Sequence, residues 1–203
     1  MHSRVFAEFE RICARRGAGG HVLEVGAVPS DCTLLCIPAL AGAKSKLGIN
    51  LEGPWRHRDF EILRADANTL CFTDESFDTV LCNSVLEHDK FFWKSVKEMI
   101  RVTRPGGLIA IGVPGFSSLP AERTASRLAR MLGRLGISQA VLDAMDASTL
   151  TLRTHHFPGD FYRFSPQAVT EIFLDGLLDK ELHTLMLPPR IIGVGIKPPK
   201  AQS

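Results

Sequence analysis

Residues 64–114 read RADANTLCFTDESFDTVLCNSVLEHDKFFWKSVKEMIRVTRPGGLIAIGVP, and this stretch decides the fold. Phe77–Cys82 reads as a short strand and Leu108–Val113 as a central strand. Asp74, Glu75 and Ser76 supply turn chemistry ahead of the former. Between the two, Asp89 can cap a helix over residues 90–103. There Phe92, Val96, Met99, Ile100 and Thr103 make a core-facing stripe. Arg104-Pro105-Gly106-Gly107 stops that helix, with Pro at the second position of a type II turn and Gly at the third. Strand, helix, strand in this order predicts parallel pairing through a right-handed crossover.

The same alternation extends outward. Val5, Phe6, Phe9, Ile12 and Cys13 predict a helix over residues 3–16, ended by Gly17, Gly19 and Gly20. His21–Val25 reads as a buried strand, and Ser30–Ala43 as a helix kinked or shortened at Pro38. Further strands are expected at Lys46–Leu51 and Glu61–Arg64. After Pro114 the rhythm breaks: residues 115–160 carry helical patterns and no clear strand, as a helical cap would. Ser165-Pro166 opens another helix to about Asp175. Closing strands near Glu181–Leu187 and Arg190–Ile196 flank Pro188-Pro189, a connection short enough to force an antiparallel pair. Residues 1–203 thus read as one α/β domain, its mostly parallel sheet carrying one antiparallel strand near the C-terminus.

Bulk properties narrow the function classes. A chain of 203 residues supports one sizeable core. It is 45% hydrophobic and 23% charged, an ordinary globular balance. A net charge of +2 gives no global electrostatic case for nucleic acid. The longest nearly apolar run, Thr33–Ala43, is about half the ~20 residues of a membrane-spanning helix, and the N-terminus has no signal-peptide core. Cys13, Cys32, Cys36, Cys71 and Cys82 include no CxxC pair, and they read as reduced, buried thiols of a cytoplasmic protein. No metal site is expected, because the adjacent His155 and His156 point apart and lack a third clear ligand set.

Leu23-Glu24-Val25-Gly26-Ala27 places a glycine at the carboxyl end of the first strand, where a ligand can approach the backbone. Val28 and Pro29 stand where a GxGxxG fingerprint needs glycines, which argues for a cofactor without a pyrophosphate. The phrases Arg64-Ala65-Asp66-Ala67, Ser76-Phe77-Asp78-Thr79-Val80, Leu86-Glu87-His88 and Arg101-Val102-Thr103-Arg104-Pro105-Gly106-Gly107 come in a characteristic order. With Glu24-Val25-Gly26 and Gly48-Ile49-Asn50, this pattern closely resembles class I S-adenosylmethionine-dependent methyltransferases over residues 21–114.

That resemblance implies a Rossmann-like three-layer sandwich with a seven-stranded sheet and a helical insertion after strand 5. It implies S-adenosyl-L-methionine as cofactor and S-adenosyl-L-homocysteine as product. Glu24 and Val25 would lie by the cofactor's amino-acid portion, above a floor made by Gly26 and Ala27. Asn50 and Leu51 would sit at the ribose, where relatives carry an acid, with Glu52 as a substitute two positions on. Asp66 would accept from the adenine amino group and Ala67 would donate its backbone N–H to the ring; a loop Asx turn of Asp66 with Asn68 is the structural alternative. Asn83 and Ser84 would line the methionine end, with His88 at the mouth, and Phe91, Phe92 and Trp93 would serve as core and pocket wall.

Methyl transfer asks mainly for alignment, plus a general base for a hydroxyl or amine acceptor. Some relatives carry a phrase similar to residues 154–166, which implies His155, His156, Asp160 and Tyr162 near the pocket; a structural Asp160–Arg163 pair with Tyr162 packed is the alternative. Leu119–Leu135 combines an apolar face with Arg123, Arg127, Arg130 and Arg134, as a lid or as a surface for an acidic acceptor or an anionic membrane. The expected reaction is transfer to O or N of a small-molecule or glycan-like acceptor. The altered turn at Ala27-Val28-Pro29 and Asn50 favour the alternative of a weak or inactive binding module.

Overall fold

The computed structural model describes residues 1–118, 149–151, 159–186 and 188–200. The first helix, α1, spans Ser3–Arg16 as expected. His2 caps it by accepting from the Arg4 N–H at 3.2 Å, and Gly17 ends it in the left-handed region at φ 63°. The strands are β1 (His21–Val25), β2 (Ser45–Asn50), β3 (Trp55–His57), β4 (Phe60–Arg64), β5 (Phe77–Asn83), β6 (Thr103–Pro114), β7 (Phe116–Ser118), β8 (Thr149–Thr151), β9 (Leu178–Met186) and β10 (Pro189–Ile196). Helix α2 covers Phe92–Val102, and α3 is one α-turn, Pro166–Ala168, running into a π-turn, Val169–Phe173. Ser165 caps α3 by accepting from the Ala168 N–H.

The main sheet has eight strands in the order β3-β4-β2-β1-β5-β6-β10-β9, one more than expected. Pairings β4–β2, β2–β1, β1–β5 and β5–β6 are parallel. β10 runs antiparallel to both β6 and β9, so it is the reversed strand predicted near the C-terminus. The extra strand, β3, is antiparallel to β4 at the other edge. From β1 the chain first builds outward through β2 and then returns to build the other way through β5. The carboxyl ends of β1 and β5 therefore border a switch-point crevice.

Alternation along the strands sends side chains to two cores. Leu23, Val25, Val80, Cys82, Ile109 and Ile111 pack against Val96, Met99 and Val102 of α2 and Val169 and Phe173 of α3. Val22, Leu81, Ala110 and Ile192 pack on the opposite face against Val5, Phe9, Ile12 and Cys13 of α1. Each fully buried Leu, Ile or Phe contributes about 1.5–3 kcal/mol, so these two layers carry the fold. A three-layer α/β sandwich results.

Several local expectations change. The helix expected over Ser30–Ala43 is two 3-10 turns, Leu34–Cys36 and Pro38–Leu40. Pro38 forces Ile37 into an extended conformation at ψ 137°, which breaks the helix before it starts. Helix α2 begins at Phe92 rather than residue 90, because Asp89 accepts from the Phe91 N–H and the Ser95 hydroxyl in an Asx-type turn. The Arg104–Gly107 phrase lies within β6 as an irregularity in its pairing with β5. Gly106 there has the φ of 77° that only glycine adopts without strain. The expected strand-free insertion is closed at its base by a two-stranded antiparallel sheet, β7–β8. The rest of the cap, including Leu119–Leu135, His155 and His156, lies outside the described residues. All five cysteines are free, but only Cys13 and Cys82 are buried; Cys36 is half-buried, and Cys32 and Cys71 are exposed. Among the described residues, no helix is long and apolar enough to cross a membrane.

Candidate cofactor and acceptor site

A half-open cleft of about 460 Å³ lies at the carboxyl ends of β1, β2, β4 and β5. It gathers Val25, Gly26, Asn50, Leu51, Asp66, Ala67, Ser84 and His88, eight of the residues the sequence nominated. Parallel pairing explains the convergence, since every strand here delivers its last residue to the same edge.

The turn after β1 is held down on β2. The Gly26 and Ala27 N–H groups both donate to the Ile49 carbonyl, at 2.9 and 3.0 Å. Gly26 sits at φ 86°, and a Cβ there would come within 2.2 Å of Val85 Cγ2. A side chain at position 26 would thus close the cleft floor, so this glycine is required twice over. Ala27 is fully buried and packs its methyl onto Gly48, so it supports the floor from behind instead of lining it. Val28 takes the exposed lining position.

Glu24 is also corrected. Its carboxylate accepts from the Thr33 hydroxyl at 2.6 Å and from the N–H groups of Leu34 and Leu35 at 3.0 and 2.9 Å. It is buried, and burial raises its pKa above the ordinary carboxylate value. Three inward bonds engage both oxygens, so Glu24 organises the loop that replaces the expected helix rather than facing the cleft.

At the end of β2, the Asn50 side-chain amide donates to the Ala27 carbonyl at 2.8 Å, and its oxygen accepts from the Glu52 N–H at 3.1 Å. Glu52 itself is exposed and does not line the cleft. Across the cleft, Asp66 Oδ1 closes an Asx turn on the Asn68 N–H at 2.9 Å. This Asx turn is the structural alternative for Asp66, but Asn68 as a cleft-lining residue was not anticipated. Its side-chain N–H₂ lies 3.2 Å from Asp66 Oδ1 and 3.1 Å from each oxygen of Asp89, tying the end of β4 to the turn before α2. The Asp66-x-Asn68 spacing was its only sequence signal. Asp89 and Lys90 are further lining residues found by the structure alone.

Ser84 holds a left-handed backbone at φ 59° and donates its N–H to Gly112. Asn83 is not among the residues that line the cleft; it donates to the hydroxyl of Ser84, which does, at 3.0 Å and reaches Met1 Sδ. The described segment from Gly159 lies against the 3-10 turn Leu86–His88, where the Glu87 carbonyl accepts from Phe161 and Tyr162 N–H groups. Tyr162 donates its hydroxyl to the Lys90 carbonyl at 3.0 Å and packs on Phe92 and Phe164. Asp160 binds Arg163 through both oxygens, at 2.5 and 2.7 Å, with both side chains largely buried. The carboxylate raises the Arg163 pKa in return. The structural alternative therefore describes Asp160 and Tyr162, and a free base at either position is corrected. Beneath them, buried Glu87 meets Arg190 at 3.3 Å, with burial pushing the carboxylate up and the guanidinium down. Phe92 is the core member of the aromatic trio, whereas Phe91 and Trp93 are exposed.

Residues 21–111 match the family model of the methyltransferase domain. Over residues 21–111, somewhat less than half of its length, the chain is similar to that methyltransferase domain family. A demethylmenaquinone methyltransferase of Corynebacterium urealyticum is 38% identical over 72 residues, 32% of this chain and 31% of that protein. Its counterpart in Renibacterium salmoninarum is 32% identical over 102 residues, 43% of each chain. These matches span less than half of either relative. Among solved structures, N-methyltransferase NodS of Bradyrhizobium japonicum in complex with S-adenosylhomocysteine is similar with a TM-score of 0.56. Its identity is 16%, covering 97% of this chain and 87% of that one. A possible exported protein of Bordetella parapertussis reaches a TM-score of 0.61 at 15% identity, over 97% and 68% of the two chains.

Within this domain, several motif residues act on the frame. Asp78 accepts from the His21 N–H at 2.7 Å and from Arg104, joining the start of β1 to the glycine turn in β6. Arg101 binds Glu98, Asp74 and the carbonyls of Leu70 and Phe72, which fixes the loop that presents Asp66.

Proposed function

We infer that the cleft binds S-adenosylmethionine and that the domain transfers its methyl group to O or N of a small-molecule or glycan-like acceptor. The observation that carries this reading is the convergence of the Gly26 turn, Asp66 and Ser84 on one cleft at the sheet's switch point. The residues fit the cofactor at two ends. Gly26 leaves a cradle that a Cβ would fill, and Asp66 lines the far wall with a carboxylate able to accept from an amino group. The ribose end fits less well, because the Asn50 amide already bonds Ala27 and Glu52.

The cofactor supplies an electrophilic sulfonium methyl; the protein's part is to align an acceptor with it. His88, at the cleft, is the described side chain suited to take a proton from a hydroxyl or ammonium acceptor. His155 and His156 stay candidates for the same task. Titration of methyl-labelled cofactor with hydroxyl and amine acceptors, read as S-adenosylhomocysteine formation, tests the activity. His88→Ala should lower turnover while leaving cofactor affinity unchanged; unaltered turnover removes His88 from the reaction.

A second reading rests on Asn50. With no carboxylate at the end of β2, a binding module with little or no activity is supported by the same cleft. Cofactor binding with no product on any acceptor favours it.

A further inference from the structure

The geometry points to a divalent metal site of the zinc class at Asp31, Cys36 and His57, outside the cleft. Asp31 lies in the loop after β1, Cys36 ends the first 3-10 turn, and His57 ends the added edge strand β3. One ligand atom from each lies within 4.8 Å of the other two, and Asp31 Oδ1 is 2.9 Å from His57 Nε2. A thiolate, an imidazole and a carboxylate are the donor set zinc takes, with a fourth position left for water.

The adjustment needed is small. With zinc–sulfur near 2.3 Å and zinc–nitrogen or zinc–oxygen near 2.0 Å, tetrahedral donors stand about 3.3–3.6 Å apart. The Asp31–His57 contact opens by a few tenths of an ångström, and the half-buried Cys36 side chain turns inward. Its sulfur makes a 3.9 Å contact with the Ser30 carbonyl. Supporting contacts are present. Arg58 Nε donates to Asp31 Oδ1 at 2.9 Å, the kind of bond that orients a ligating carboxylate. Phe60, buried beneath, meets the His57 ring edge-to-face at a centroid distance of 5.6 Å and fixes its plane.

Such a metal would join two irregular parts of the chain: the loop of 3-10 turns that replaces a helix, and the extra hairpin β3–β4. Both already pack into the α1-side core through Leu34, Leu35, Phe60 and Ile62, and the metal would add a tie between them at the surface. The ligands come from different elements, so no compact sequence motif announces them. The site is independent of the cofactor reading.

Cobalt(II) titration of the chelator-treated full chain tests the proposal through the thiolate-to-cobalt charge-transfer band. A band that saturates below about 100 µM and is erased by added zinc is expected. Cys36→Ser should abolish it, His57→Ala should weaken affinity by roughly tenfold or more, and Cys71→Ser should leave it intact. Zinc should also raise the melting temperature of the wild type and not of His57→Ala. Absence of a band at that concentration, or a band that survives in folded Cys36→Ser, overturns the proposal. If Cys36→Ser does not fold, undiminished affinity in His57→Ala overturns it equally.

Discussion

The side-chain amide of Asn50 donates to the main-chain carbonyl of Ala27 at 2.8 Å, so the end of β2 holds the turn after β1 through a neutral bond. This contact satisfies the Ala27 carbonyl, while the Glu52 N–H occupies the Asn50 oxygen, so position 50 offers the cleft no carboxylate. Asn50→Asp replaces the donor with a carboxylate facing the same wall. We expect S-adenosylhomocysteine affinity to rise by roughly tenfold, the scale of one added hydrogen bond to a charged group. The melting temperature should fall slightly as the Ala27 bond is lost. Calorimetric titration alongside thermal melts checks both; unchanged or weaker affinity shows that position 50 does not face the ribose.

Glu24 is expected to act on the loop, with a particular pH signature. Its pKa is raised by burial above the ordinary value of 4.5. The unfolded carboxylate therefore ionises first as pH rises, and the folded state holds the proton longer. Stability from this group is whole below pH 4.5 and declines as pH rises from there through the folded value. Glu24→Gln does not titrate. The wild type's stability relative to the variant should be greatest in acid and shrink toward neutrality, as denaturant melts across pH would show. A gap that widens with pH contradicts the assignment.

Asp160 is expected to be structural. Asp160→Asn removes the carboxylate that binds the largely buried Arg163 guanidinium through both oxygens, a loss of about 3 kcal/mol by analogy with broken buried pairs. A substantially lower melting temperature with unchanged cofactor affinity is the expected outcome. A stable variant with lost turnover would return Asp160 to the chemistry.

The strands were legible because parallel central strands leave apolar runs, as Val80–Cys82 within β5 and Leu108–Val113 within β6 do. Position 106 was legible as well, since a turn there needs a left-handed residue and glycine supplies it. Other features were hidden by range. Strand β3 is three residues long, too short for any period, and it forms only because β4 offers an edge. Ser30–Ala43 had a helical pattern, but Pro38 together with the three bonds that Glu24 draws from Thr33, Leu34 and Leu35 selects tight turns instead. At the site, strand-end positions could be read one by one. The direction of each side chain could not: Asn83 and Ala27 sit beside Ser84 and Gly26 yet do not line the cleft. The Asp160–Arg163 pair, three residues apart, could be read either as chemistry or as structure until its burial was known.

The most direct measurement is a calorimetric titration of the wild type and Asp66→Ala with S-adenosylmethionine and S-adenosylhomocysteine. Binding by the wild type, weakened by roughly tenfold or more in a folded Asp66→Ala, is the predicted result. No binding by the wild type at about 1 mM, or equal affinity in the two proteins, would contradict the assignment of this cleft.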